Sequence, residues 1–286
     1  MCGLQRDGRA AVTFAYGETE LPVDRRLFVP DTIYVSGERW LEPLRRDEQP
    51  EAWDRLVTAD QAVTTATDGD EPLHPHLTYP PGMGYVPLSS SSAPSIMAQM
   101  IEALELEPGM RVLEIGTGTG YNAACLAAYG AEVVSVEIDG GIAERARCAL
   151  RDAGFPDVVV LTGDGELGAA EHAPFDRVIA TAAAHTVPYP WVRQTKDGGR
   201  IIVPYTGDGC QYGLLALDVR DGEAAGQVVG DAAFMPLRGQ RLHPAVQNNI
   251  EDWPGLEVRV TAEGQRLARP GTPLTAAVWT AGHRAH

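Results

Sequence analysis

Residues 111–128 read RVLEIGTGTGYNAACLAA. Arg111 to Ile115 is an apolar run of β-formers, Gly116 to Gly120 is a glycine-rich turn, and the Ala- and Leu-rich remainder favours helix. This strand, turn and helix set the fold, because the same cycle recurs downstream. EVVSVEI (132–138) precedes IAERARCALRDAG (142–154), VVVLT (158–162) precedes a short polar segment, and FDRVIATAA (175–183) precedes PYPWVRQT (188–195). Strands alternating with helices predict right-handed crossovers and a doubly wound, mainly parallel α/β sheet of Rossmann-like type, covered on both faces. Gly154 and Gly198 stand where helix C-caps are expected. After Gly199 the pattern changes to IIVPYT, YGLLALDV and GQVVGDAAFMPL, read as antiparallel strands that close one side.

Three regions follow: an N-terminal arm and substrate-side region over 1–87, a core over 88–240, and a C-terminal extension over 241–286. The arms are rich in proline and lack a clear period, so they are expected to be partly ordered and packed on the core.

The composition, 44% hydrophobic and 22% charged over 286 residues, is that of a globular chain with a sizeable core. A formal charge of −16 repels phosphate backbones and anionic headgroups, which argues against nucleic acid and membrane partners. The apolar runs are too short for a membrane span and the first residues lack a signal-peptide core, so a cytoplasmic location is expected. Cys2, Cys125, Cys148 and Cys210 are far apart and are read as free thiols. His74-Pro75-His76 is read as loop and no metal is expected.

The chemistry is concentrated at the glycine turn. Glycines at 116, 118 and 120 let the backbone bend sharply and admit a ligand where a Cβ would stand. A nicotinamide site would show G-x-G-x-x-G with a pyrophosphate on the helix N-terminus. Here the spacing is G-x-G-x-G, Glu114 precedes the first glycine by two, and the better fit is S-adenosylmethionine, which carries a cationic amino group and a sulfonium in place of phosphate. Glu137 ends the second strand, where a carboxylate can accept from both ribose hydroxyls, with Asp139 as a helix N-cap. Asp164, in Gly163-Asp164-Gly165, ends the third strand and can take an adenine amino group.

These residues resemble the protein-L-isoaspartate O-methyltransferase family over about Leu21 to Leu237. The resemblance rests on VLEIGTGTGY, on Gly163-Asp164-Gly165 with Gly168 following, on PFDRVIATAA from Pro174, and on Gly198-Gly199 with IIVP after it. Phe234-Met235-Pro236-Leu237 is similar to the family's closing strand, Arg26-Leu27-Phe28-Val29-Pro30 to its N-terminal signature, and Ser92-Ala93-Pro94 to the element that precedes its first core helix. The resemblance implies a class I S-adenosylmethionine-dependent carboxyl methyltransferase. It also implies that Glu114, Gly116, Thr117, Gly118, Gly120, Glu137, Ile138, Asp164 and Gly165 line the cofactor. Ser92 and Ser90 would stand at the methyl-transfer site. Ser91 is a further substrate candidate, and His185, which follows the fourth core strand at its C-terminal end, is either a substrate contact or a polar loop residue. The alternative for the serines is capping of the helix after Pro94.

The chain also departs from the family. Leu88 to Ser92 replaces its usual approach to the proline, Tyr79 to Pro87 is inserted, and an arm follows Arg238. Intact cofactor motifs beside a rebuilt substrate loop point to one particular, constrained peptide as substrate, and the resemblance, which has a branch acting on ribosomally made peptides, implies an aspartate or isoaspartate of such a peptide with succinimide as the outcome of methylation. General isoaspartyl repair, a small-molecule methyltransferase and a SAM-binding regulatory module are the competing readings.

Overall fold

The glycine turn of residues 116–120 joins a central strand to its helix in the computed structural model, which describes residues 14–38, 41–68, 86–206, 212–240, 256–268 and 279–281. The chain begins with β1 (Phe14–Tyr16) and β2 (Thr19–Leu21), then β3 (Thr32–Ser36), β4 (Leu41–Arg45), α1 (Pro50–Val57), β5 (Val63–Thr67) and β6 (Pro87–Ser91). It continues with α2 (Pro94–Leu104), β7 (Arg111–Ile115), α3 (Tyr121–Ala128), β8 (Glu132–Glu137), α4 (Gly140–Ala153), β9 (Val159–Thr162), β10 (Phe175–Ala180) and α5 (Tyr189–Gln194). The remainder is β11 (Thr195–Thr206), β12 (Tyr212–Arg220), β13 (Glu223–Gly230), β14 (Glu257–Thr261), β15 (Gly264–Ala268) and β16 (Trp279–Ala281).

The large sheet runs β16-β15-β14-β13-β12-β11-β10-β7-β8-β9. Neighbours from β9 to β11 pair parallel, and those from β11 to β16 pair antiparallel. Successive side chains of each strand face opposite sides, so Val178 and Ala180 join one apolar cluster and Ile179 the other. Trp191 and Val192 of α5 cover the first face, while Met97, Met100 and Leu104 of α2, Leu126 of α3 and Leu150 of α4 cover the second. The strand order reverses at β7 and β10, and a crevice opens beyond their carboxyl ends.

Both arms contribute sheet. In the N-terminal region β4-β3-β5-β6 forms an antiparallel sheet with α1 against it, over a core of Val29, Ile33, Leu44, Trp53, Val57 and Val63. The serine run lies in this sheet, so the boundary expected between 87 and 88 cuts through β6. The C-terminal region adds β14, β15 and β16 to the edge of the large sheet, with Val258, Val260 and Leu267 buried. Alternation over five residues is too short a signal to separate such strands from loop.

Other expectations are corrected. Gly154 is the left-handed C-cap of α4, as expected, but α5 ends at Gln194 with Thr195 as its C-cap, and Gly198 lies in an irregularity of β11, where the pairing with β10 jumps from Thr195 to Arg200. The last predicted strand begins earlier, at Glu223, and ends at Gly230; Phe234 to Leu237 is a loop with a single bridge from Pro236 to Ala183. Cys125 is a buried free thiol, as expected, but Cys148 is disulfide-bonded. His74, His76 and the insertion up to Tyr85 also lie outside the described residues.

Candidate active site

A cleft of about 360 Å³ opens at the strand-order reversal, within the range of small-molecule sites. Its floor is the turn after β7. Gly116 (φ 93°) and Gly118 (φ 54°) adopt a left-handed backbone that side chains disfavour. A Cβ at Gly116 would stand 2.9 Å from Thr181 Oγ1, and one at Gly118 would stand 3.6 Å from Ser89 Oγ and 3.7 Å from Ser90 O. The serine strand β6 thus faces the glycine turn across the cleft.

One end of the cleft is lined by Glu137, Ile138, Asp164 and Gly165. Glu137 is held by the Gly118 N–H at 3.0 Å and the Asp139 N–H at 3.1 Å, and a carboxylate keeps further lone pairs for a ligand. Asp139 caps α4 by accepting from the Gly141 and Ile142 N–H groups, which is the chief reason that its carboxyl is held below the usual range. Ile138 is 42% exposed, an apolar face beside two carboxylates. Gly165 packs on Ile115, where a Cβ would approach Cγ2 to 2.6 Å, and its carbonyl accepts from Trp191 Nε1 at 2.8 Å.

Thr117 also lines the cleft, yet two predicted cofactor residues do not. Glu114 is fully buried on the far side of the turn, where its carboxylate accepts from Asn122 Nδ2 at 2.8 Å and from Ser135 Oγ. Burial pushes its pKa up to about 7 against the opposing pull of those hydrogen bonds. Period-two alternation turns Glu114 away from its neighbour Ile115, which does line the cleft. Gly120 leaves room for α4, since a Cβ there would stand 3.2 Å from Leu150 Cγ.

At the other end stand Ser89, Ser90, Ser91 and Ser92, with Ala62, Thr64, Ile96 and Met97. Ser92 does not cap α2: the N-cap is Ala93 without a side-chain bond, and the Ser95 N–H is taken by Asp60 at 2.9 Å. Ser91 is 3% exposed, and its hydroxyl accepts from Arg25 Nε at 2.9 Å. Arg25 has its remaining donors on the carbonyls of Val57, Ala59, Gln61 and Ser91. Burial lowers its pKa to about 10, so it stays charged at neutral pH. His185 lies away from the cleft, stacked on Tyr205, with its Nδ1 3.1 Å from Thr206 O.

Sequence reasoning missed Arg25, Asn122 and Thr181, and also the wall from Ala233 to Arg238. Arg25 stands one residue ahead of the recognised signature, and Phe234 to Leu237 was read as a strand instead of the cleft's cover. Arg238 closes this side with an ion pair to Asp139 at 3.3 Å.

A glycine-floored cleft, carboxylates at two strand ends and an exposed apolar side chain between them fit S-adenosylmethionine. Asn122 Oδ1 is buried in the cleft wall and has no partner among the described residues. Residues 70–242 match the family model described as protein-L-isoaspartate(D-aspartate) O-methyltransferase. Protein-L-isoaspartate O-methyltransferase 2 of Polaromonas sp. (strain JS666) is 40% identical over 151 residues, covering 52% of this chain and 72% of its own. The enzyme of Methanoculleus marisnigri is 44% identical over 149 residues, covering 52% and 67%. A solved protein-L-isoaspartate O-methyltransferase superposes with a TM-score of 0.58 at 28% identity, over 79% of this chain and 60% of that one. The chain belongs to the protein-L-isoaspartate(D-aspartate) O-methyltransferase family, whose members are S-adenosylmethionine-dependent carboxyl O-methyltransferases.

Proposed function

We propose that the chain esterifies the side-chain carboxylate of an aspartate or isoaspartate in one particular, constrained, ribosomally made peptide, and that the ester goes on to a succinimide. The observation that carries the acceptor assignment is the chemistry of the serine end. Among the described residues, no His or Lys lines the cleft, and its two carboxylates, Glu137 and Asp164, stand at the ends of β8 and β9 and not on the serine strand. A carboxylate acceptor needs no general base, because it is anionic at neutral pH. An amine or alcohol acceptor would have to lose a proton.

S-adenosylmethionine supplies, when bound, a methyl group on a cationic sulfur that departs with the bonding electron pair as a neutral thioether. Ser90 and Ser92 donate hydrogen bonds that aim one carboxylate oxygen at that methyl, while Arg25 holds the strand that carries them. Alignment of this kind contributes several kcal/mol without any ionisation of the serines. The following backbone nitrogen can then attack the ester carbonyl; methanol leaves with the amide proton, and the ring closes. Hydrolysis of the ring gives aspartate and isoaspartate.

Narrow specificity is supported by the departures around the acceptor end, where the sequence Leu88 to Ser92 replaces the family's usual approach and two folded regions flank the core. Remote contacts of this sort can position one reacting group. The proposal includes action in the cytoplasm. Among the described residues no helix is long and apolar enough to cross a membrane.

The test compares kcat/KM on a simple isoaspartyl peptide with that on a candidate constrained peptide, using wild type and Ser92→Ala. We expect strong preference for the constrained peptide, a gain of one methyl followed by a net loss of one water, and a slower rate in the variant with cofactor affinity nearly intact. Equal turnover of unrelated isoaspartyl peptides would restore repair, and an unaltered rate in Ser92→Ala would remove that serine from the site.

A further inference from the structure

Gly230 ends β13 against α2, where a Cβ would collide with the amide nitrogen of Gln99. The chain then runs on along the helix. Ala232 is buried in the same apolar cluster as Met97, Met100 and Ile101, while Asp231 and Ala233 on either side of it are exposed. Between this segment and Ser95, Ile96 and Gln99 of α2 lies a second groove, of about 340 Å³. Ile96 and Ala233 line the main cleft as well, so the groove is continuous with it where the serines stand. It shares no residue with the cofactor end at Glu137, Ile138, Asp164 and Gly165.

Two kinds of surface meet in this groove. Ile96, Ala232 and Ala233 are apolar, and Ser95, Gln99 and Asp231 are polar. Among the described residues no Lys, Arg or His lines it, and Asp231 makes neither an ion pair nor a hydrogen bond. The Asp60 carboxylate, which accepts from the Ser95 N–H at 2.9 Å, adds a second negative charge beside the groove. An aliphatic stem that ends in a cation matches this arrangement, because the stem covers the apolar wall while the head reaches the carboxylate. An acidic side chain would meet like charge, and a neutral one gains nothing from Asp231. We propose that the groove receives a lysine or arginine side chain of the peptide substrate, close in sequence to the methylated residue, and that Asp231 is the specificity-determining residue that selects it. The formal charge of −16 acts in the same direction at longer range. This inference rests on the peptide acceptor proposed above, and not on that peptide being constrained or unique.

The experiment uses the simple isoaspartyl peptide or the constrained one, whichever wild type turns over faster, with a single Lys, Gln or Glu placed in turn at each position near the methylated residue. We expect one position at which kcat/KM for Lys exceeds that for Glu by roughly tenfold, with Gln between them, a preference that fades in high salt. At that position Asp231→Asn should bring Lys and Glu within about threefold, and Asp231→Lys should reverse their order, with calorimetric affinity for S-adenosylhomocysteine unchanged. Absence of such a position in wild type overturns the proposal. So does an unaltered order in Asp231→Lys, or equal slowing of all peptides in both variants, which is the mark of a merely structural role. Failure to methylate either parent peptide despite cofactor binding would instead remove the peptide reading, and this inference with it.

Discussion

Glu114 carries an acid into a place where water cannot follow. Its carboxylate sits under α3, fully buried, with its pKa pushed up to about 7, so near neutrality it is only partly ionised. A carboxyl whose folded pKa lies above its unfolded value binds more protons when folded. Its stabilising effect is complete below the unfolded pKa near 4.5 and is lost as pH rises through about 7. Wild type should therefore lose stability between those pH values relative to Glu114→Gln, by on the order of 3 kcal/mol at most. The glutamine can still accept from Asn122 and donate to Ser135. Urea unfolding of both proteins across that range checks this, and parallel profiles would show that Glu114 does not titrate there. The acid at 114 was legible from the sequence as part of a cofactor turn, but its direction was not. Only the pairing of β7 between β8 and β10 fixes which alternate residues face the cleft and which face α3.

The element that most depends on distant chain is β6. A strand of Pro, Leu and three serines buries little apolar surface of its own, and its place is set by pairing with β5 and by the guanidinium of Arg25. Arg25→Met would remove the bonds to Ser91 and to the carbonyls of Val57, Ala59 and Gln61, leaving buried acceptors unpaired at about 1–3 kcal/mol each before relaxation. The expected result is a lower melting temperature and a fall in kcat larger than any change in cofactor affinity, because the pin lies on the acceptor side. Equal loss of kcat and of cofactor binding would show general unfolding instead. Sequence periodicity identified the βα cycles from β7 to α5, where apolar runs are long and glycines punctuate them. It missed β3 to β6 because five-residue strands with mixed polarity carry too little pattern, and no local signal announces that one arginine ties three segments together.

At the scale of the whole molecule, the C-terminal strands are part of the load path to the core. Gln265 on β15 is 2% exposed; its Oε1 accepts from the Val187 N–H at 2.9 Å, and its Nε2 donates to His185 O at 3.2 Å. Gln265→Leu keeps the bulk but orphans both backbone groups. Denaturant unfolding should show a loss of about 1–3 kcal/mol. A loosely attached extension would show almost none. The sheet order explains why sequence reasoning called this region an arm: β14 has meaning only beside β13, and the chain between them offers no period that announces the return.

The glycine turn belongs to the large sheet and the serines to the small one, with Gly118 facing Ser89 and Ser90 across the gap. On the proposed reading, donor and acceptor are presented by separate sheets, like tool and workpiece in two jaws of a vice. Reshaping one jaw alters what is gripped without disturbing how the tool is held. A change in the core beneath the small sheet, around Trp53 and Val63, can shift the reacting distance while touching no reacting atom. In such an architecture, altered taste for substrate is an expected first consequence of drift in residues that look merely structural.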